Sequence, residues 1–194
     1  MKIVLDIETK GDKKLLDIFA DGIKAPKTYK DPEKIANYIK WKKSEAINRM
    51  ALDSDYLEIV VIGIKELGKA PRIVKLKELE DILPQCDQLI TYNGKSFDIP
   101  AIIKAGIKAG LNLPYKRLVD MTARYKRDDH IDLFEVINKY GEYKSLDKLL
   151  QIYCGISKVD IDFASCSMKE LKAHCLEDVI NTEKLYDRFK MLVV

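Results

Sequence analysis

Four carboxylates stand where the surrounding pattern asks for something else. Asp6 and Glu8 interrupt KIVLDIET, residues 2–9, which otherwise reads as a buried strand. Alternate strand residues share a face, so the two acids project side by side while Ile3, Leu5 and Ile7 face the other way. Like charges held together repel and raise each other's pKa, which calls for compensation. Asp98 lies in YNGKSFDIP, residues 92–100, where a strand ends, Asn93-Gly94 turns and a helix begins. There it is either a helix N-cap or a ligand. Asp178 lies in HCLEDVINT, on a helical stripe through Leu171, Cys175, Thr182, Leu185 and Phe189. An acid on a core-facing stripe needs a partner, because burying a lone charge is very costly. A lysine could serve, but a metal ion would neutralise several acids together.

Shared divalent cations would account for Asp6, Glu8, Asp98 and Asp178 at once. Oxygen donors with few nitrogen or sulfur neighbours suit Mg²⁺ or Mn²⁺. Two such ions ~3.5–4 Å apart can hold a water nucleophile and stabilise the leaving oxygen of a phosphodiester. His174 precedes Asp178 by four residues and shares its side of the helix. An unperturbed pKa of ~6.5 suits it to general-base work.

The elements that must position these groups follow from periodicity and caps. Residues 2–7, 57–65, 72–75 and 88–92 read as strands rich in Ile and Val. Asp31-Pro32 opens a long helix running to Met50, with Asp as N-cap and Pro in its first turn. That helix is either a lid over one end of the sheet or an inserted packing element. After Asp98 the pattern predicts helices over 99–110, 130–140, 145–154 and 168–192, the last opened by a capping box, Ser167 to Glu170. Early strands followed by packed helices indicate an α/β fold with a mixed sheet, one domain over 1–194 with a helical insertion at about 11–56. His130 and Asp132 read as structural, Asp132 as a cap or supporting group. Asp120 has no assignment.

Composition narrows the function classes. The chain has 194 residues, 47% hydrophobic and 34% charged, as in globular proteins. The longest apolar stretch, Ile59–Ile64, is too short for a bilayer, and Asp6 and Glu8 break any signal-peptide pattern, so a cytoplasmic location is expected. Cys86, Cys154, Cys166 and Cys175 form no CxxC pair and no ligand spacing with either histidine, and read as reduced thiols. The net charge is only +3, but residues 24–43 hold seven lysines against Asp31 and Glu33. Residues 104–127 hold seven basic residues against Asp120 alone. Such clusters either meet a polyanion or form solvated faces.

LDIET, then YNGKSFD, then HCLED resembles, in order, the three motifs of the DEDD superfamily of 3′–5′ exonucleases. Asn93 followed by Phe97-Asp98 is similar to the second exonuclease motif of family B DNA polymerases. HIDLFEV, SLDKLL and CLEDVINT resemble stand-alone exonucleases related to that polymerase domain. The resemblance covers residues 1–10 and roughly 57–192, and implies a ribonuclease H-like fold. It implies that Asp6, Glu8, Asp98 and Asp178 hold two Mg²⁺ or Mn²⁺ ions. Asn93 and Phe97 would then hold the 3′ end of a single strand, DNA rather than RNA, with Phe97 against a terminal base or sugar; core packing is the alternative for Phe97. A replication or repair partner is compatible with this, but none is identifiable. The departure lies at His174. One branch of the superfamily has Tyr with three residues before the last Asp, the other His with four; this chain has His at the tyrosine's spacing. One extra residue turns a helical side chain by ~100°, so His174 either works from the tyrosine's place or replaces it passively. In the second case the chain could be a nucleic-acid-binding module that has lost catalysis. A nuclease of the same fold acting on RNA is the other alternative.

Overall fold

Ile3, Val4 and Leu5 are all buried, so the first strand is covered on both faces rather than one. This strand, β1 (Lys2–Gly11), is central because two parallel neighbours lie to one side of it. β4 (Gln88–Thr91) pairs parallel with β1, setting Ile3 against Leu89 and Val4 against Ile90. β5 (His130–Asp132) pairs parallel with β4, setting Ile90 against Ile131 and Thr91 against Asp132. On the other side lie β2 (Leu57–Glu66) and β3 (Arg72–Val74), which pair antiparallel. The order β3-β2-β1-β4-β5 makes a mixed sheet, as expected from the sequence. The computed structural model describes residues 1–138, 143–158, 162–163 and 165–193.

Two compact units divide the chain. The first comprises Met1–Glu8 and Val61–Val194, the second Thr9–Val60. In the first, Val4, Ile90 and Ile131 form one face of the sheet. They pack in a core with Leu133, Leu149, Leu150, Val179, Leu185 and Tyr186. Those partners come from α6 (Leu133–Ile137), α7 (Leu146–Cys154) and α8 (Met168–Phe189). Each such side chain, fully buried, contributes ~1.5–3 kcal/mol. The helices α3 (Leu79–Gln85), α4 (Asp98–Lys108) and α5 (Tyr115–Met121) bury Leu79, Ile99, Ile102 and Leu118 in turn.

The second unit holds α1 (Leu16–Phe19) and α2 (Pro32–Met50). Asp31 caps α2 as read from the sequence, accepting the N–H of Glu33 at 2.9 Å. Gly11 is required here, since a Cβ on it would lie 2.5 Å from the Ile47 carbonyl oxygen.

The sequence reading fails at three places. His130–Asp132 is a strand, not the start of a helix, and only Leu133–Ile137 is helical; residues 139–140 of the expected helix lie outside the described residues. A three-residue strand is too short to show a period, so only pairing with β4 identifies it. α3 and α5 were not anticipated; α3 contains Pro84, which reads locally as a breaker. Of the two readings of Asp98, only the N-cap is excluded, since it is the first residue inside α4.

Candidate active site

The acids meet because three separate local devices aim them at one place. The first is β1, which carries Asp6 and Glu8 beyond the residues Lys2 to Val4 that pair with β4.

The second is the turn after β4. Asn93 adopts a left-handed conformation (φ 67°), which asparagine tolerates better than most residues. The Asp132 carboxylate accepts the N–H groups of Asn93 (2.8 Å), Lys95 (3.0 Å) and Phe134 (3.0 Å), so one acid caps α6 and clamps the turn. Thr91 Oγ1 accepts the Gly94 N–H at 3.1 Å. A Cβ at Gly94 would lie 2.3 Å from that oxygen, which explains the glycine. His130 is buried between Thr91 Oγ1 (Nε2, 2.8 Å) and the Met121 carbonyl (Nδ1, 3.1 Å), and burial pushes its pKa down to about 4. It is structural, as read from the sequence. Buried Lys95 donates to the Ala123 and Lys126 carbonyls and to Glu135 Oε2 at 2.8 Å. This bracing leaves Asn93, Phe97 and Asp98 facing the cleft.

The third is α8, opened by the Ser167–Glu170 capping box. Gly63 lets it lie close on β2, since a Cβ there would be 2.8 Å from Cys175 Sγ. Cys175 Sγ lies 3.6 Å from Asp6 Oδ2, and its neighbour His174 reaches the acids. His174 Nδ1 is 3.0 Å from Glu8 Oε1 and 3.8 Å from Asp178 Oδ2.

All seven residues read as site residues, Asp6, Glu8, Asn93, Phe97, Asp98, His174 and Asp178, line one cleft of about 380 Å³. Its electrostatics are those of crowded acids. Burial first, then Asp98, Asp178 and Glu8, hold the Asp6 pKa well above the usual carboxylate range. Burial raises Asp98 to about 7, with Asp132 and Glu8 adding to the rise. Hydrogen bonds from the backbone N–H groups of Asp98 and Ile7 oppose it. His174 is raised above its ordinary value chiefly by its hydrogen bond to Glu8, against desolvation.

Five further residues line the cleft that sequence reasoning missed: Ile7, Tyr92, Asp147, Lys158 and Phe163. Lys158 Nζ stands 2.6 Å from Asp178 Oδ1 and donates to Oδ2 at 2.7 Å. The lysine alternative for Asp178 is therefore present alongside the acid cluster. Asp147 Oδ1 accepts the Lys158 N–H at 3.0 Å, fixing the loop that delivers the ammonium. No local signal distinguishes Lys158 among 34 basic residues. Phe163 meets the His174 ring edge-on at 5.4 Å. Asp120, in α5, does not line the cleft.

The donor set fits hard divalent cations. Ligand atoms of Glu8, His174 and Asp178 lie within 4.8 Å of one another, as do those of Asp6, Glu8 and Cys175. Burial, with Asp6 and Glu8 adding to it, raises the Cys175 thiol well above its ordinary value. Asp98 stands outside both groups but is close enough for its charge to act on Asp6. All four cysteines are free thiols. No helix among the described residues is long and apolar enough to cross a membrane.

Residues 36–193 match the family described as predicted 3′–5′ exonucleases related to the exonuclease domain of PolB. The match takes in part of the segment 11–56, for which the sequence alone offered no resemblance, and does not reach Asp6 and Glu8. A DNA polymerase of Pyrococcus glycovorans is 33% identical over 131 residues, 62% of this chain and 15% of that protein. A DNA polymerase of Thermococcus litoralis is 27% identical over 96% of this chain and 11% of its own length. The chain thus spans a small part of the relatives it matches. The family B DNA polymerase of the hyperthermophilic archaeon Pyrobaculum calidifontis superposes with a TM-score of 0.60 at 15% identity, over 96% of this chain and 24% of that one. With its ribonuclease H-like mixed sheet, this chain belongs to the family of predicted 3′–5′ exonucleases related to the exonuclease domain of PolB.

Proposed function

We propose that the protein is a metal-dependent 3′–5′ exonuclease that removes nucleoside monophosphates from the 3′ end of single-stranded nucleic acid, DNA in preference to RNA. The observation that carries this is the convergence of Asp6, Glu8, Asp98 and Asp178, from three distant segments, on one cleft also lined by His174 and Lys158. The DNA preference rests on the relatives being DNA polymerases. Bound at the four carboxylates, Mg²⁺ or Mn²⁺ would supply Lewis-acid stabilisation of charge on the reacting phosphate oxygens, by two ions in this reading.

The chain's own residues do the rest. Asn93 and Phe97 hold the terminal nucleotide, with Phe97 against its base or sugar. Glu8 holds His174 by its Nδ1, and His174 takes the proton of the attacking water. The water oxygen bonds to phosphorus as the bond to the preceding nucleotide's 3′ oxygen breaks, and that oxygen takes a proton from solvent. The products are a nucleoside 5′-monophosphate and a strand one unit shorter. Lys158 offers its ammonium to the phosphate.

A 5′-labelled single-stranded DNA and its RNA counterpart, with Mg²⁺, Mn²⁺ or chelator, test the reading. The expected result is a metal-dependent ladder shortening from the 3′ end of DNA, absent in Asp98→Ala. The Lys158–Asp178 pair favours one alternative, a strand-binding module in which lysine replaces metal. Tight binding with no cleavage in any metal would select it.

A further inference from the structure

The second unit carries an aromatic row that it leaves partly exposed. α2 fully buries only Ala46 and Met50. Toward its start, Lys34, Asn37, Tyr38 and Trp41 recur at the spacing of one helix face. Such a face is ordinarily apolar and covered. Here, with Tyr29 and Lys30 of the preceding loop, it lines an open cavity of about 730 Å³. Tyr29 meets Tyr38 edge-on at 5.6 Å, and Tyr38 meets Trp41 edge-on at 5.7 Å. Trp41 remains 51% exposed and Tyr29 39%. A large ring left half in water gives the fold little, whereas a flat ligand would use it.

The charge around the rings names the ligand. Residues 24–43 carry seven lysines against Asp31 and Glu33. Asp31 lines the cavity too, but its carboxylate is engaged as the cap at the positive end of α2. Lys42 Nζ lies 4.2 Å from the Trp41 ring centroid and also pairs with Glu45. Lys43 is paired with Asp17. Lys30 and Lys34 stand at the cavity itself. Aromatic rings interleaved with lysines suit a chain of alternating π-faces and anions, which is the chemistry of single-stranded nucleic acid.

We infer that the second unit carries a binding site of its own for single-stranded nucleic acid. Bases stack on Trp41 and Tyr29 while Lys30 and Lys34 track the phosphates. This goes beyond the exonuclease reading, since the site contains none of the acids and needs no metal.

Trp41 is the sole tryptophan, so its fluorescence reports on this site alone. The full chain in chelator, where nothing is cut, is titrated with a thymidine oligonucleotide of about 12 nucleotides. The expected result is saturable quenching of Trp41 that weakens with salt. By anisotropy of a labelled oligonucleotide, Trp41→Ala should weaken binding at least about fivefold. Trp41→Phe, which keeps a ring, should restore most of it, and Lys30→Glu with Lys34→Glu should lower the salt dependence. Absence of quenching, equal quenching by tripolyphosphate, or unchanged binding by Trp41→Ala would each overturn the inference. Quenching without cleavage in metal would remove the exonuclease reading and leave this site standing. Cleavage without quenching would do the reverse.

Discussion

His174 Nδ1 lies 3.0 Å from Glu8 Oε1, joining an acid near the end of β1 to an imidazole on α8 that is 166 residues away in sequence. The contact raises the histidine pKa, so the folded chain keeps this proton above the pH at which the unfolded chain, near ~6.5, releases it. Its stabilisation is full below ~6.5 and is lost as pH rises through the folded value. The melting-point gap between wild type and His174→Gln should therefore narrow as pH rises. Cleavage should run the other way, because only the neutral ring accepts a proton from water. A pH–rate limb above ~6.5 that disappears in His174→Gln is expected; an unchanged limb would remove His174 from proton transfer.

Burial and the neighbouring acids hold Asp98 near 7 and Asp6 well above its ordinary value. Both pKa values are raised, so their stabilising contribution is full below about pH 4 and is lost as pH rises through each folded value, about 7 for Asp98. In metal-free protein at about pH 8, Asp98→Asn should melt at least ~3 °C above wild type while cutting nothing. Mg²⁺ or Mn²⁺ should raise the wild-type melting point more at about pH 8 than at about pH 5, because binding displaces protons. Equal melting of wild type and Asp98→Asn across that range would contradict the buried-acid account.

Lys158 competes with any cation for Asp178 while contributing positive charge to the cleft. Lys158→Ala should therefore bind Mg²⁺ or Mn²⁺ more tightly, yet turn over at least about tenfold more slowly at saturating metal and strand. A metal titration of cleavage separates the two effects. Loss of metal affinity together with activity would mean that the lysine only holds the loop in place.

Asp132 satisfies three backbone N–H groups at once, two in the turn and one at the start of α6. Asp132→Ala should cost about 3 kcal/mol in a denaturant melt and slow cleavage through a misplaced Asp98. Asp132→Asn, which keeps one carbonyl oxygen, should recover part of both. Wild-type stability in Asp132→Ala would show that the turn holds itself.

What the sequence determined by itself is what a few neighbouring residues decide. Asp6 beside Glu8 on a strand, Asp31-Pro32 opening α2 and the Ser167–Glu170 box opening α8 each follow from local spacing. The order of the three acid motifs pointed to the fold and to one cleft through their resemblance to the exonuclease family, not through local spacing. The tertiary structure alone decided the rest. Three residues cannot announce β5 until Leu89–Thr91 pairs with them. Asp132 has one local duty, capping α6, and gains its second only because β5 lies beside β4. Lys158, its backbone N–H held by Asp147, meets Asp178 twenty residues on, a contact with no periodicity to read. Gly63 lets α8 approach so closely that His174 reaches Glu8, and that distance exists only after the helix has docked.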